Sequence, residues 1–71
     1  MEIFKDRKYL KTYYNYFIKR CRETRLEYKI SQKKFAKSIG VSQSLISFFE
    51  NGKLDSSRIL IAYIYTFGIH F

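Results

Sequence analysis

The sequence predicts an all-α fold, a compact bundle of four to five helices. Three observations lead there. Phe35, Ala36, Ile39, Val41, Leu45, Ile46 and Phe49 recur at spacings that turn them toward one shared core. Ser31, Ser42 and the Asp55-Ser56 pair stand where helices should start, and Gly40 and Gly68 where they should stop. The chain has no proline, so ring sterics force no element to end. Only Ile59 to Phe71, rich in β-branched and aromatic residues, also reads as a strand. A lone strand would have no pairing partner, and the Gly68 stop fits a helix.

A tyrosine-rich basic extension, residues 1–14, precedes the main domain, residues 15–71. The first helix is expected over about residues 15–28, with Phe17, Cys21 and Thr24 inward and Lys19, Arg20 and Arg22 outward. Asn15 is a candidate N-cap. No glycine or proline separates it from the extension, so one continuous helix from near Asp6 is the alternative. The second helix is expected at about 32–39 and the third at about 43–50. Leu54, in the loop Lys53-Leu54-Asp55, should drop into the core. The fourth helix is expected at about 56–67, with Leu60, Ile61, Ile64 and Phe67 facing in. That phase leaves Ile59, Ala62 and Tyr65 on an apolar face that something must cover. The cover is either the extension folded back or a second copy of the chain.

The second and third helices, joined by the sharp turn at Gly40, make a helix-turn-helix. The third opens on polar side chains, and such a unit usually reads DNA. Charge points the same way. The chain carries a formal +8, with eleven Lys or Arg against four acids in residues 1–34 and three against two in residues 35–71. Cations would thus draw phosphate toward a polar, uncharged reading helix.

Other classes find little support. Hydrophobic residues make up 46% of the chain, with seven Phe and seven Tyr, enough to build a core in 71 residues. No apolar run approaches a membrane span, and the first residues carry charges rather than a signal core. Cys21 stands alone, which suits a reducing cytoplasm. His70 has no second ligand at metal spacing, and no acid pairs with His70 or Cys21 in a catalytic pattern. A protein without enzymatic activity, metal or cofactor is expected.

Particular residues then carry a family resemblance. Lys19-Arg20-Cys21-Arg22-Glu23, Arg25, Ser31-Gln32, Phe35-Ala36, Gly40-Val41-Ser42, Ile46-Ser47 and Glu50-Asn51-Gly52 follow one another at a distinctive spacing. From Phe17 to Gly68 the chain resembles the Cro/repressor-type (Xre) helix-turn-helix proteins of phages and bacteria, and a lambda-repressor-like fold is implied. The resemblance implies that Gln43 and Ser44, followed by Ser47 and Phe48, read base edges in the major groove of double-stranded DNA. It assigns phosphate contacts to Gln32, Lys33, Ser42, Asn51 and Lys53, and an internal ion pair to Arg25 and Glu50. The chemistry of a glutamine amide supports the first role, since its adjacent donor and acceptor match adenine N6 and N7.

Three departures from the family pattern matter. Phe48 stands where a polar or basic residue is usual, so it either touches thymine methyl groups or belongs to a protein-binding surface. Family members commonly continue into a fifth helix beyond the position of Gly68. The extension, with Tyr9-Leu10 and Tyr13-Tyr14, has no family counterpart. The leading expectation is a cytoplasmic transcriptional regulator, a repressor binding an inverted repeat as a homodimer. Its dimer surface would be Ile59, Ala62, Tyr65, Ile69 and Phe71. The runner-up is an inhibitor or antitoxin that uses the same fold to bind a protein through Phe48. A basic RNA-binding protein is a third class, supported by charge alone.

Overall fold

Caps and periodicity translate into four helices: α1 (Arg7–Glu27), α2 (Gln32–Ile39), α3 (Gln43–Glu50) and α4 (Ser57–Phe67). The structure is a computed structural model that describes residues 7–70. The extension's first six residues, the side chains of residues 7–11 and Phe71 lie outside that description. The described residues form an all-helical bundle without strands.

α1 runs unbroken through Asn15 for 21 residues, so the extension from Arg7 onward forms its opening turns. Its C-terminal end is set by the left-handed conformation of Lys29, φ 57°, which lets the Ile30 N–H return to the Arg25 carbonyl at 3.2 Å. At the other helix starts, serine hydroxyls satisfy first-turn donors. Ser31 accepts from the Lys34 N–H at 3.0 Å, Ser42 from Leu45 at 3.3 Å and Ser56 from Ile59 at 3.2 Å. Between α2 and α3, Gly40 adopts φ 74°, a region that a side chain would strain. The next N–H, that of Val41, then closes on the Ala36 carbonyl at 3.0 Å.

Ile18, Cys21, Phe35, Ala36, Ile46, Phe49, Ile59, Tyr63, Phe67 and Ile69 form the core. Its centre is aromatic. The Tyr63 ring lies 4.4 Å from Phe35, 5.5 Å from Phe49 and 6.0 Å from Phe67, centroid to centroid. Tyr14 joins the extension-derived turns to the rest. Its ring meets Phe49 edge-on, and its hydroxyl accepts the Ser56 N–H at 3.2 Å, just ahead of α4.

Three inward assignments change. In α1, Ile18 is the buried residue and Phe17 only half-buried. In α3, Leu45 is 38% exposed rather than inward. In α4 the phase shifts: Phe67 is buried as expected and Leu60 packs against the core, but Ile59 and Tyr63 are the other buried residues, Ile64 is half-buried and Ile61 is exposed. The segment from Ile59 to Phe67 is apolar on nearly every side, so its spacing cannot select the inner face. The contact that selects it is Tyr63, whose hydroxyl finds a buried partner. Ile59 and Ile69 thus belong to the core, and Ala62 is half-covered. Of the described residues expected at a dimer surface, only Tyr65 is open, at 89% exposure.

Candidate nucleic-acid interface

α3 has two unlike faces. Its inner end carries Glu50, a carboxylate that would be costly to bury without partners. Arg25 of α1 supplies a two-pronged grip, Nε donating to Oε2 at 2.7 Å and Nη2 to Oε1 at 3.0 Å. Gln32 Nε2 donates to Oε1 at 3.1 Å, and the Tyr63 hydroxyl donates to Oε2. The remaining Arg25 amino group, Nη1, holds the Ile30 carbonyl at 2.6 Å, which ties the α1–α2 turn into the same network. One carboxylate therefore joins all four helices.

The titration of these groups follows from that geometry. Burial pushes the Glu50 carboxyl up, yet hydrogen bonds from Arg25, Tyr63 and Gln32 outweigh it and hold the group below the usual carboxylate range. The bond to Glu50 raises Arg25 further above its ordinary value. Burial, then the hydrogen bond to Glu50, raises the Tyr63 phenol. Nearby, burial and the Glu50 charge push the Cys21 thiol up to about 12, so it is an inert core side chain.

The outer face of α3 is open. Gln43, Ser44 and Phe48 are exposed, the last at 51%, and Ser47 is half-buried. At 100° per residue, positions 43, 44, 47 and 48 fall within an arc of about 140°. Ser42 immediately precedes this stripe, and Asn51 and Lys53 follow it, all exposed. The Asn51 amide folds back as a C-terminal cap, donating to the Ser47 carbonyl at 2.8 Å and reaching its hydroxyl at 3.4 Å. Lys33 is exposed in the first turn of α2. The structure thus gathers the residues expected to face bases, and most of those expected to meet phosphates, around one helix. Gln32 is turned inward, one N–H of its amide committed to Glu50, and the Asn51 amide is likewise engaged by Ser47. Gln32 positions α3 from within.

Sequence reasoning missed Tyr63 and Gln32 as partners of Glu50. A side-chain hydrogen bond across 13 or 18 residues leaves no periodic trace, and nothing in the sequence could have found it. A second omission was findable. Asn15, Lys19 and Arg22 of α1, spaced by four and three residues, line an open groove beside Asn51 and Gly52.

A short helix pair with a glycine turn, an inner face locked by a buried ion pair and an outer polar stripe defines a DNA-binding regulator domain. The chain belongs to the Cro/Xre-type helix-turn-helix family, whose helix-turn-helix family model matches residues 18–62. Comparison with curated proteins and with solved structures gave no match. The protein is a DNA-binding regulator by family. Among the described residues, no helix is long and apolar enough to cross a membrane.

Proposed function

We propose that the protein is a cytoplasmic, non-enzymatic transcriptional repressor that binds an inverted-repeat operator as a homodimer, with α3 in the major groove. The observation that carries this reading is the contrast within α3. Glu50 anchors its inner end, while Gln43, Ser44 and Phe48 stand exposed and Ser47 half-exposed on the outer face. Gln43 reads an adenine edge through its amide, and the serines add contacts of low discrimination. Lys33, Ser42, Asn51 and Lys53 hold phosphates on either side, which fixes register without reading sequence. The dimer forms on the exposed strip of α4, Ile61 and Tyr65, one helical turn apart. Two-fold symmetry then spaces the reading helices about one DNA turn, ~34 Å, apart.

The test is a gel shift on the DNA upstream of the protein's own gene, against an unrelated duplex. Gln43→Ala should keep its affinity for the unrelated duplex and lose about 1–3 kcal/mol of discrimination for the operator. Tyr65→Glu should replace the dimer complex by a weaker half-site complex. Equal binding of both duplexes by the wild type would sink sequence-specific regulation. A second reading rests on Phe48, an aromatic ring half exposed on the reading face. There the protein is an inhibitor or antitoxin, and this ring enters a pocket on a protein partner.

A further inference from the structure

The cations of this chain are not on the helix that reads DNA. α3 carries no Lys or Arg, whereas α1 is densely basic. One part of α1 lies beside the end of α3. An open groove of about 360 Å3 runs between them, lined by Asn15, Ile18, Lys19 and Arg22 on one wall and Glu50, Asn51 and Gly52 on the other.

We propose that this groove is a second phosphate-binding site, in which Lys19, Arg22 and Asn15 grip the backbone of the DNA strand that passes the C-terminal end of α3. The proposal rests on the DNA-binding reading above and extends the contact surface to α1.

Three observations support it. Lys19 and Arg22 are exposed, and neither makes an ion pair among the described residues. Positions 15, 19 and 22 fall within an arc of about 60° on α1, so one ligand can meet all three. The Asn15 amide oxygen lies 3.7 Å from the point a Cβ on Gly52 would occupy, so the two walls are close.

The groove's acid does not oppose an anion. Glu50 has a side chain only 2% exposed, and both its oxygens are engaged by Arg25, Tyr63 and Gln32. Its charge is offset by Arg25 within the core. What the groove presents outward is two cations and the amide of Asn15.

The position also suits a duplex. α3 has eight residues, about 12 Å of helix, and the major groove of B-DNA is about 12 Å wide. A helix of that length seated in the groove brings its end within reach of a flanking strand. Asn51 and Gly52 mark that end, and Lys19 and Arg22 line the groove beside it. Arg22 offers a planar fork for two phosphate oxygens, while Lys19 acts as a point charge.

The experiment is fluorescence anisotropy on the upstream duplex and on an unrelated duplex, across a salt series. It compares the wild type with Lys19→Gln, Arg22→Gln, the double variant, and the exchange Lys19→Arg with Arg22→Lys. Each phosphate contact contributes about 0.9 to the slope of log K against log salt. The double variant should flatten that slope by about 1–2 on both duplexes alike. At 0.1 M salt this corresponds to a roughly eight- to sixtyfold loss of affinity, by the same relation. The exchange variant should keep the wild-type slope, and thermal melts of all four should match the wild type. An unchanged slope in the double variant overturns the groove while leaving the DNA reading intact. Loss on the upstream duplex alone overturns it too, because backbone contacts are blind to sequence. A wild type that binds neither duplex overturns both the groove and the DNA-binding reading.

Discussion

The two faces of α3 are built to opposite specifications. At the inner end, Glu50 accepts from Arg25 twice, from Gln32 and from Tyr63, and no buried polar side-chain atom lacks a partner among the described residues. On the outer face, Gln43, Ser44 and Phe48 stand exposed. α3, with eight residues, would be marginal by itself, because helix nucleation is costly and so few hydrogen bonds follow it. Its orientation must come from what it is tied to. The inner face fixes α3 against all three other helices, and that leaves the outer side chains free of structural duty. The comparison predicts large stability effects from inner substitutions and small ones from outer substitutions.

The largest effect should come from breaking the buried pair. Arg25→Ala leaves the Glu50 charge without its main partner and should cost about 3–5 kcal/mol in urea denaturation. Replacing both, Arg25→Met with Glu50→Leu, should cost clearly less than the sum of the single changes, because no charge is stranded. Additive losses would mean that the two side chains contribute separately, and the inner face would lose its special status.

Tyr63→Phe tests the next contribution. The ring, which packs on Phe35 and Phe49, is retained while the hydroxyl is lost. A hydrogen bond to a charged group is worth about 1.5–3 kcal/mol, and the loss at neutral pH should fall in that range. The pH profile gives the sign. Glu50 titrates below its usual range in the folded protein, so its stabilisation is present above the unfolded value, about 4.3, and fades as pH falls through the folded pKa. Without the Tyr63 donor the folded pKa should rise, and the stability lost between neutral and acid pH should shrink. On the alkaline side, Cys21 and Tyr63 both titrate above their ordinary values. Their contribution is complete below the unfolded pKa values, about 8.5 and 10, and is lost as pH rises beyond them. Tyr63→Phe should keep only the Cys21 part of that alkaline loss. Denaturation midpoints from pH 2 to 11 measure both limbs, and a profile identical to the wild type would remove Tyr63 from the network.

What could be read in advance follows from how local each signal is. The limits of α2 and α3 were legible because Ser31, Ser42 and Gly40 act on their own neighbours. That Gln43, Ser44 and Phe48 share the outer face of α3 was legible because they sit on one helix at a family spacing. The phase of α4 was legible only in part, at Phe67. Ile59, Leu60, Ile61, Ile64 and Phe67 offer apolar atoms in every direction, and the choice is made by Tyr63 reaching a carboxylate on α3. The same holds for Gln32, whose place at the start of α2 suggested a phosphate contact, while its amide is turned to Glu50. Asn15 looked like a cap because an asparagine before an apolar pattern often is one. Inside a continuous α1 it instead lines the groove beside Gly52.

Phe48 is where the comparison is most exposed to failure. An aromatic ring on a helix is more often core than surface, and here it is about half exposed among polar neighbours. If the outer face carries no structural duty, Phe48→Arg should leave the denaturation midpoint nearly unchanged, within about 0.5 kcal/mol, as for other surface changes. The functional readout then separates the two roles. A ring that meets thymine methyl groups is replaced by a side chain that prefers guanine, so the preferred operator should change while affinity for unrelated DNA holds or rises. A ring that fills a pocket on a protein leaves DNA preference as it was, and binding to that protein is lost. A cooperative unfolding transition weakened by several kcal/mol would be a third result. It would mean that Phe48 supports the core, and that the outer face of α3 is not free after all.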